Sequence, residues 1–346
     1  MTAASRFLEE EIAAGSFPGG AALVGSAEAI LESARAGQAA VEPAADPITA
    51  GTQFDLASLT KPLCGGALVR IAAGSGLDLS SAPGRFFDAW KKTRYDGITI
   101  ERLLTHTSGL PAWYPLYARG EGAEAYRRTL AQIEPECAPG SAVLYSDLNF
   151  LLLGDILEAH FAAPLSESFG NLVAAPAASG ARFLPVSPAS TAATERGDRT
   201  EREMTAALGL SYPRFRTGVV RGEVHDGNAA RRGGVAGHAG LFATAEDVWA
   251  LARMWLLEDC SDYTSDRTPG LAEARGLSWQ GRRGAASAVP GMSERAFGHT
   301  GFTGTSLWID PEADRIWVLL TNRVHPEVKP GNFNEVRRRF HEPARA

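Results

Sequence analysis

The feature that most restricts how this chain can fold is the separation of its two hydrophobic periodicities. Strand-like runs lie near the ends, at Ala21–Ser26, Ala29–Ala36, Gly276–Gln280, Thr305–Ile309 and Arg315–Thr321. Between them the pattern is one of short helices cut by Gly and Pro, as in Ile98–Leu104, Glu121–Ile133 and Asn149–Phe161. Further helices are expected at Arg6–Ala14, Leu59–Gly74, Ala245–Leu257 and Phe333–Phe340. Sheet material at both ends with helices between predicts one α/β domain, residues 1–76 plus 240–346, around an inserted helical, loop-rich domain at 77–239. No repeat at solenoid or propeller spacing is present, and the Ala-rich stretch Ala174–Ala193 reads as a surface loop.

Composition narrows the function. The 346 residues are 45% hydrophobic and 21% charged, as in ordinary globular chains. A formal charge of −6 leaves no basic stripe for a phosphate backbone, which argues against nucleic acid as a partner. No run approaches the ~20 apolar residues of a spanning helix. The stretch Met1–Gly15 lacks a secretory pattern, so a cytoplasmic location is expected. Cys64, Cys137 and Cys260 are odd in number with no C-x-x-C pair, which predicts buried free thiols. Neither a metal nor a cofactor is implied: no His pair has H-x-x-x-H spacing, and there is no Walker-type loop or G-x-S-x-G elbow.

Three motifs carry candidate chemistry. Ser58-Leu59-Thr60-Lys61 puts a hydroxyl and an amine one helical turn apart. A serine becomes nucleophilic when a nearby base takes its proton, and a lysine of depressed pKa is such a base. Only four of the 34 basic residues are lysines, and arginine could not do this work. A strand-like Phe54–Ala57 delivers Ser58 to a helix N-terminus, which favours a developing oxyanion. Tyr145-Ser146-Asp147 opens the next helix; its tyrosine is either a proton relay or core packing, and Ser146 or Asp147 an N-cap. Gly298-His299-Thr300-Gly301-Phe302-Thr303-Gly304 precedes a strand and lets backbone N–H groups approach a substrate. His106 and His238, set among small and apolar residues, read as structural. Trp113, Tyr114 and Tyr117 either overhang an acyl pocket or pack the helical domain.

In order, S-L-T-K, L-L-T-H-T-S-G-L-P, Y-S-D-L-N, G-G-V-A-G-H-A-G-L-F-A-T and G-H-T-G-F-T-G-T resemble the serine β-lactamase and penicillin-binding-protein superfamily, and within it the class C β-lactamase, D,D-peptidase and carboxylesterase branch. The resemblance spans Phe17 to about Arg323. It implies a five-stranded antiparallel sheet flanked by helices, an all-helical second domain and a site in the cleft between them. It implies Ser58 as the acylated nucleophile, Lys61 as its general-base partner and Tyr145 as a second proton-transfer group. His299 would take the place of the lysine in a K-T-G triad, beside Thr300 and Gly301. The N–H groups of Ser58 and Phe302 would form the oxyanion hole.

Two residues depart from the family pattern: Asp147 ends a Y-x-N triad, and His299 replaces a lysine. An ionised aspartate cannot donate to an acylamide carbonyl, would repel a substrate carboxylate and would raise the pKa of Lys61. A protonated His299 would offset part of that. The resulting expectation is carboxylesterase-like hydrolysis of a small neutral ester. The alternatives are a D,D-peptidase or D-amino-acid amidase, a class C-type β-lactamase, and, from a different class, a silent binder of cell-wall fragments.

Overall fold

A computed structural model describes residues 2–95 and 97–342 of the chain. Its strands are β1 (Gly19–Gly25), β2 (Ile30–Ala40), β3 (Asp46–Pro47), β4 (Phe54–Asp55), β5 (Phe242–Ala243), β6 (Gln280–Gly281), β7 (Phe297–Thr300), β8 (Ser306–Asp310) and β9 (Arg315–Thr321). All but β4 and β5 form one antiparallel sheet in the order β3-β2-β1-β9-β8-β7-β6. The two ends of the chain meet at its centre, where Leu23 of β1 faces Val318 of β9. Five full strands match the expected number. The two additional ones are two-residue edge segments, and Pro47, which lacks an N–H, suits such an edge.

Alternation along the central strands explains the layering. Ala21, Leu23, Ile316, Val318 and Leu320 enter the large core shared with the helices Ala245–Leu257 and Asp147–Phe161. Ala22, Val24, Trp317 and Leu319 point to the other face, against Leu8, Val336 and Phe340 of the terminal helices Ala3–Ala13 and Phe333–His341. The sheet is therefore covered on both sides, which is what apolar residues on both faces require. The first helix begins three residues before the expected Arg6 because the Thr2 hydroxyl caps it through the Ser5 N–H. The expected helices Ile98–Leu104, Glu121–Ile133 and Asn149–Phe161 appear as Ile100–Leu104, Gly122–Leu130 and Asp147–Phe161. No single helix among the described residues is long and apolar enough to cross a membrane.

One strand was hidden in the sequence. Phe297–Thr300 looks like the start of a glycine turn, yet it pairs with β8 from Phe297↔Ile309 to Thr300↔Ser306. Gly298 is needed there: a Cβ would lie 2.5 Å from both the Leu307 carbonyl oxygen and the nearest carbon of the Trp308 indole. This strand brings His299 and the following turn alongside Ser58.

Candidate active site

The short β4–β5 ladder leads the chain to a bend. Asp55 Oδ1 accepts from the Ala57 N–H at 2.8 Å and Oδ2 from the His225 N–H at 2.7 Å. Ala57 is held at φ 46°, a left-handed conformation that costs a residue with a Cβ about 1–2 kcal/mol. Such strain persists only where the surroundings over-determine it. Ser58 follows, partly exposed, in a 3-10 turn (Ala57–Leu59); a π-helical stretch (Lys61–Gly66) and an α-helix (Ala67–Gly74) continue it. The single helix expected from Leu59 to Gly74 is thus α-helical only in its second half. Gly66 permits the tight approach, since a Cβ there would sit 2.8 Å from Ser278 Cβ.

Lys61 is wholly buried beneath Ser58. Its Nζ donates to Ser58 Oγ at 2.8 Å, to Asp147 Oδ1 at 2.6 Å and to the His238 carbonyl at 3.4 Å. It also lies 4.9 Å from the centre of the Tyr145 ring. Burial presses this ammonium toward the neutral amine, but the charge and hydrogen bond of Asp147, with a hydrogen bond to Tyr145, outweigh burial and leave its pKa above the ordinary lysine value. A resting lysine of depressed pKa is therefore corrected: Lys61 is an ammonium paired with a carboxylate. Burial likewise raises the pKa of the Tyr145 phenol, while the Lys61 charge and hydrogen bonding with Lys61 and Ser58 pull against it.

His299 is also corrected. Its Nδ1 lies 2.8 Å from the Thr300 carbonyl and so carries the proton, and its buried Nε2 has no partner among the described residues. Burial, then the charges of Lys61 and Arg275, hold its pKa well below the usual value, so near neutral pH it offers no positive charge to offset Asp147. His106 is buried, accepts from the Ser146 N–H through Nδ1 at 3.0 Å and packs against Tyr145 and Phe150. His238 pairs with Asp226 at 2.8 Å.

Ser58, Tyr145, Asp147, His299, Thr300, Gly301 and Phe302 all line one cleft of about 380 Å³, with Lys61 below its floor. Neither the Ser58 nor the Phe302 N–H donates to another group among the described residues. Both remain available to an oxyanion. A second pocket of about 130 Å³ also opens on Ser58; Trp113, Met204 and Phe302 contribute to its lining, as do the acidic Glu201 and Asp226. Trp113 thus overhangs the site, whereas Tyr117 is buried with its hydroxyl on Glu201 at 2.7 Å. Tyr114 packs partly buried against the core, and its hydroxyl accepts from Arg119.

Three arginines in the first cleft were not singled out from the sequence. Arg275 is buried, pairs with Glu273 and lies over the Tyr145 ring. Arg323 donates to the Phe302 carbonyl at 3.0 Å. Arg337 donates to the Gly301 carbonyl at 2.6 Å and to Asn334 Oδ1 at 2.8 Å. Neither Arg323 nor Arg337 meets a carboxylate among the described residues. Burial, then the charge of Arg323, lowers the pKa of Arg337 to about 9. Asn334 and Arg337 stand three apart on a helix that reads in sequence as merely charged, and that i, i+3 spacing was the available signal.

These elements gather Ser58, Lys61 and Tyr145 at one cleft on a helix-flanked antiparallel sheet. The family model for Beta-lactamase matches residues 4–338, and the chain belongs to that family. It is 30% identical to an N-acetylmuramyl-L-alanine amidase of Bacillus subtilis, over 95% of this chain and 83% of the relative. It is also 30% identical to a putative D-alanyl-D-alanine carboxypeptidase of Salmonella paratyphi B, over 82% of this chain and 74% of the relative. Among solved structures it resembles a class C β-lactamase (TM-score 0.73, 14% identity, 99% of this chain and 95% of the other). It also resembles EstCE1, a hydrolase with promiscuous acyltransferase activity (TM-score 0.71, 21% identity, 97% and 96%).

Proposed function

We propose that this protein is a serine hydrolase that cleaves a small ester or amide bearing a carboxylate, through an acyl-enzyme on Ser58. Attack by Ser58 Oγ on the substrate carbonyl would place the oxyanion against the N–H groups of Ser58 and Phe302, where fixed donors are worth most. Tyr145, close to both Ser58 and Lys61, would pass a proton to the leaving group, and water would then release the acid.

The observation that carries the substrate class is the pair Arg323 and Arg337, two guanidinium groups in the cleft with no carboxylate partner among the described residues. A guanidinium buried as Arg337 is, beside the half-buried Arg323, is costly without counter-charge, and a substrate anion would supply it. The sequence alone favours a neutral ester, because a free Asp147 would repel anions. That ground is weakened, because Asp147 is committed to Lys61 at 2.6 Å. The relatives named as a putative carboxypeptidase and an amidase accord with cleavage of an amide.

The test is a matched panel: peptides and depsipeptides ending in a free carboxylate, each against its methyl ester, with p-nitrophenyl esters and nitrocefin alongside. The free acids should show the higher kcat/KM; equal or reversed ranking would remove the carboxylate from the reading. Intact-mass measurement after a fluorophosphonate probe separates a hydrolase from a silent binder, which should gain no adduct at Ser58.

A further inference from the structure

An ammonium has three donor protons and no lone pair, so it cannot take a proton from serine until it has given one up. Lys61 is in that position. Its wholly buried Nζ spans Ser58 Oγ at 2.8 Å and Asp147 Oδ1 at 2.6 Å, and Asp147 is its one carboxylate partner among the described residues. The other groups around it are unsuited to receive its proton. His238 presents a backbone carbonyl, at 3.4 Å. The Tyr145 hydroxyl is itself protonated, Arg275 is a cation, and the ring nitrogens of His106 and His299 make no bond to Lys61. Asp147 is the short-bonded base, and its side chain keeps only 22% of its surface exposed.

We propose that Asp147 is the final proton acceptor in acylation, acting through Lys61. As Oγ of Ser58 forms its bond to the substrate carbonyl carbon, the carbonyl π electrons move to the oxygen. The Ser58 proton passes to Nζ of Lys61, and a proton of Nζ passes to Oδ1 of Asp147. When the tetrahedral intermediate collapses, the bond to the leaving atom breaks. That atom takes a proton from Tyr145, which regains one from Lys61; Lys61 recovers the one held by Asp147, and the ammonium–carboxylate pair is restored. Asp147 is thus a positioning residue for Lys61 that also stores a proton.

This inference rests on Ser58 being the nucleophile, so the experiment reads both. Fluorophosphonate labelling of Ser58 and steady-state ester hydrolysis are followed from acid to alkaline pH in the full-length wild type, Asp147→Asn and Asp147→Glu. Asparagine keeps the volume and can still accept from Lys61 but cannot bind a proton. Near neutral pH, Asp147→Asn should slow acylation about a hundredfold with KM nearly unchanged, a loss in the range of general-base removal. Its rate should climb with pH, because Lys61, no longer held charged by Asp147, can lose its own proton, and Asp147→Glu should recover part of the wild-type rate. A variant as fast as the wild type would overturn the proposal. So would a loss of equal size at every pH, which marks a purely structural partner. A wild type that acquires no label at Ser58 overturns the nucleophile assignment instead.

Discussion

Replacing Arg323 by Met tests the carboxylate reading with the least disturbance. The side chain is half-buried, its Nε donates to the Phe302 carbonyl, and its guanidinium lies 5.4 Å from the Phe302 ring and 5.0 Å from that of Phe333. Methionine keeps the apolar stem against those rings and removes the charge. A carboxylate about 4 Å from a guanidinium gains roughly 4 kcal/mol at an effective dielectric constant near 20. Desolvation and screening in an open cleft leave nearer the worth of one charge-assisted hydrogen bond, about 1.5–3 kcal/mol, or ten- to a hundredfold. The ratio of kcat/KM for a free acid to that for its methyl ester should therefore fall about ten- to a hundredfold in Arg323→Met. Hydrolysis of the methyl ester should change far less. Arg337→Met should lower the same ratio but also slow neutral substrates, because Arg337 braces the Gly301 carbonyl and with it the turn that presents the Phe302 N–H. Steady-state kinetics at two salt concentrations completes the assay: the preference for the acid should weaken with salt in the wild type. An unchanged ratio in both variants would refute the reasoning, however much the absolute rates fell.

Ser58→Ala should fold and bind but lose kcat by about four orders of magnitude or more, and intact mass should show no acyl or phosphonyl adduct; retention of a tenth of the activity would exclude Ser58. Lys61→Arg preserves the charge opposite Asp147 but cannot relay a proton, so turnover should collapse across the pH range, and near-normal rates would make Lys61 merely electrostatic. In Gly301→Ala the new methyl would collide with Thr305 Oγ1 and sit 2.6 Å from the Leu56 carbonyl, forcing the oxyanion turn away from the nucleophile bend. It should cost about 1–3 kcal/mol of stability and lower kcat more than it raises KM; a fully active variant would show that the turn has room to spare. Burial and then the charge of Asp226 push the Glu201 carboxyl up to about 7 from its ordinary 4.5. The folded state thus holds a proton that the unfolded chain releases, so this group's contribution to stability falls as pH rises through that window. Glu201→Gln should flatten the pH dependence of Tm there, and an unaltered slope would reject the assignment.

The parts of the site that could be read in the sequence are those fixed by local spacing. Ser58 and Lys61 share one turn of backbone, Tyr145 and Asp147 open a helix at a turn marked by Pro139 and Gly140, and His299 to Phe302 lie on consecutive residues. Each cluster needed only short-range geometry, and the fold brings all of them to one cleft. What local spacing could not show is charge state, because that depends on which groups meet across the fold. Arg323 lies just beyond the last strand and Arg337 on the terminal helix. Nothing local distinguishes them from the many arginines that do find carboxylates, such as Arg216 and Arg231 on Asp198. Their significance lies in an absence that only tertiary structure reveals. Asp147 shows the same limit from the other side. A free charge at this position would oppose anionic substrates; seated 2.6 Å from a buried ammonium, its charge is largely compensated. The sign of the cleft is then set by the arginines across from it. The same pairing that weakens Asp147 as a filter makes it the nearest base to the lysine, so one substitution, Asp147→Asn, separates the two roles. If Asp147 repelled anions, the variant should favour acids over their esters; if it holds the proton, both should slow together near neutral pH and recover together as pH rises.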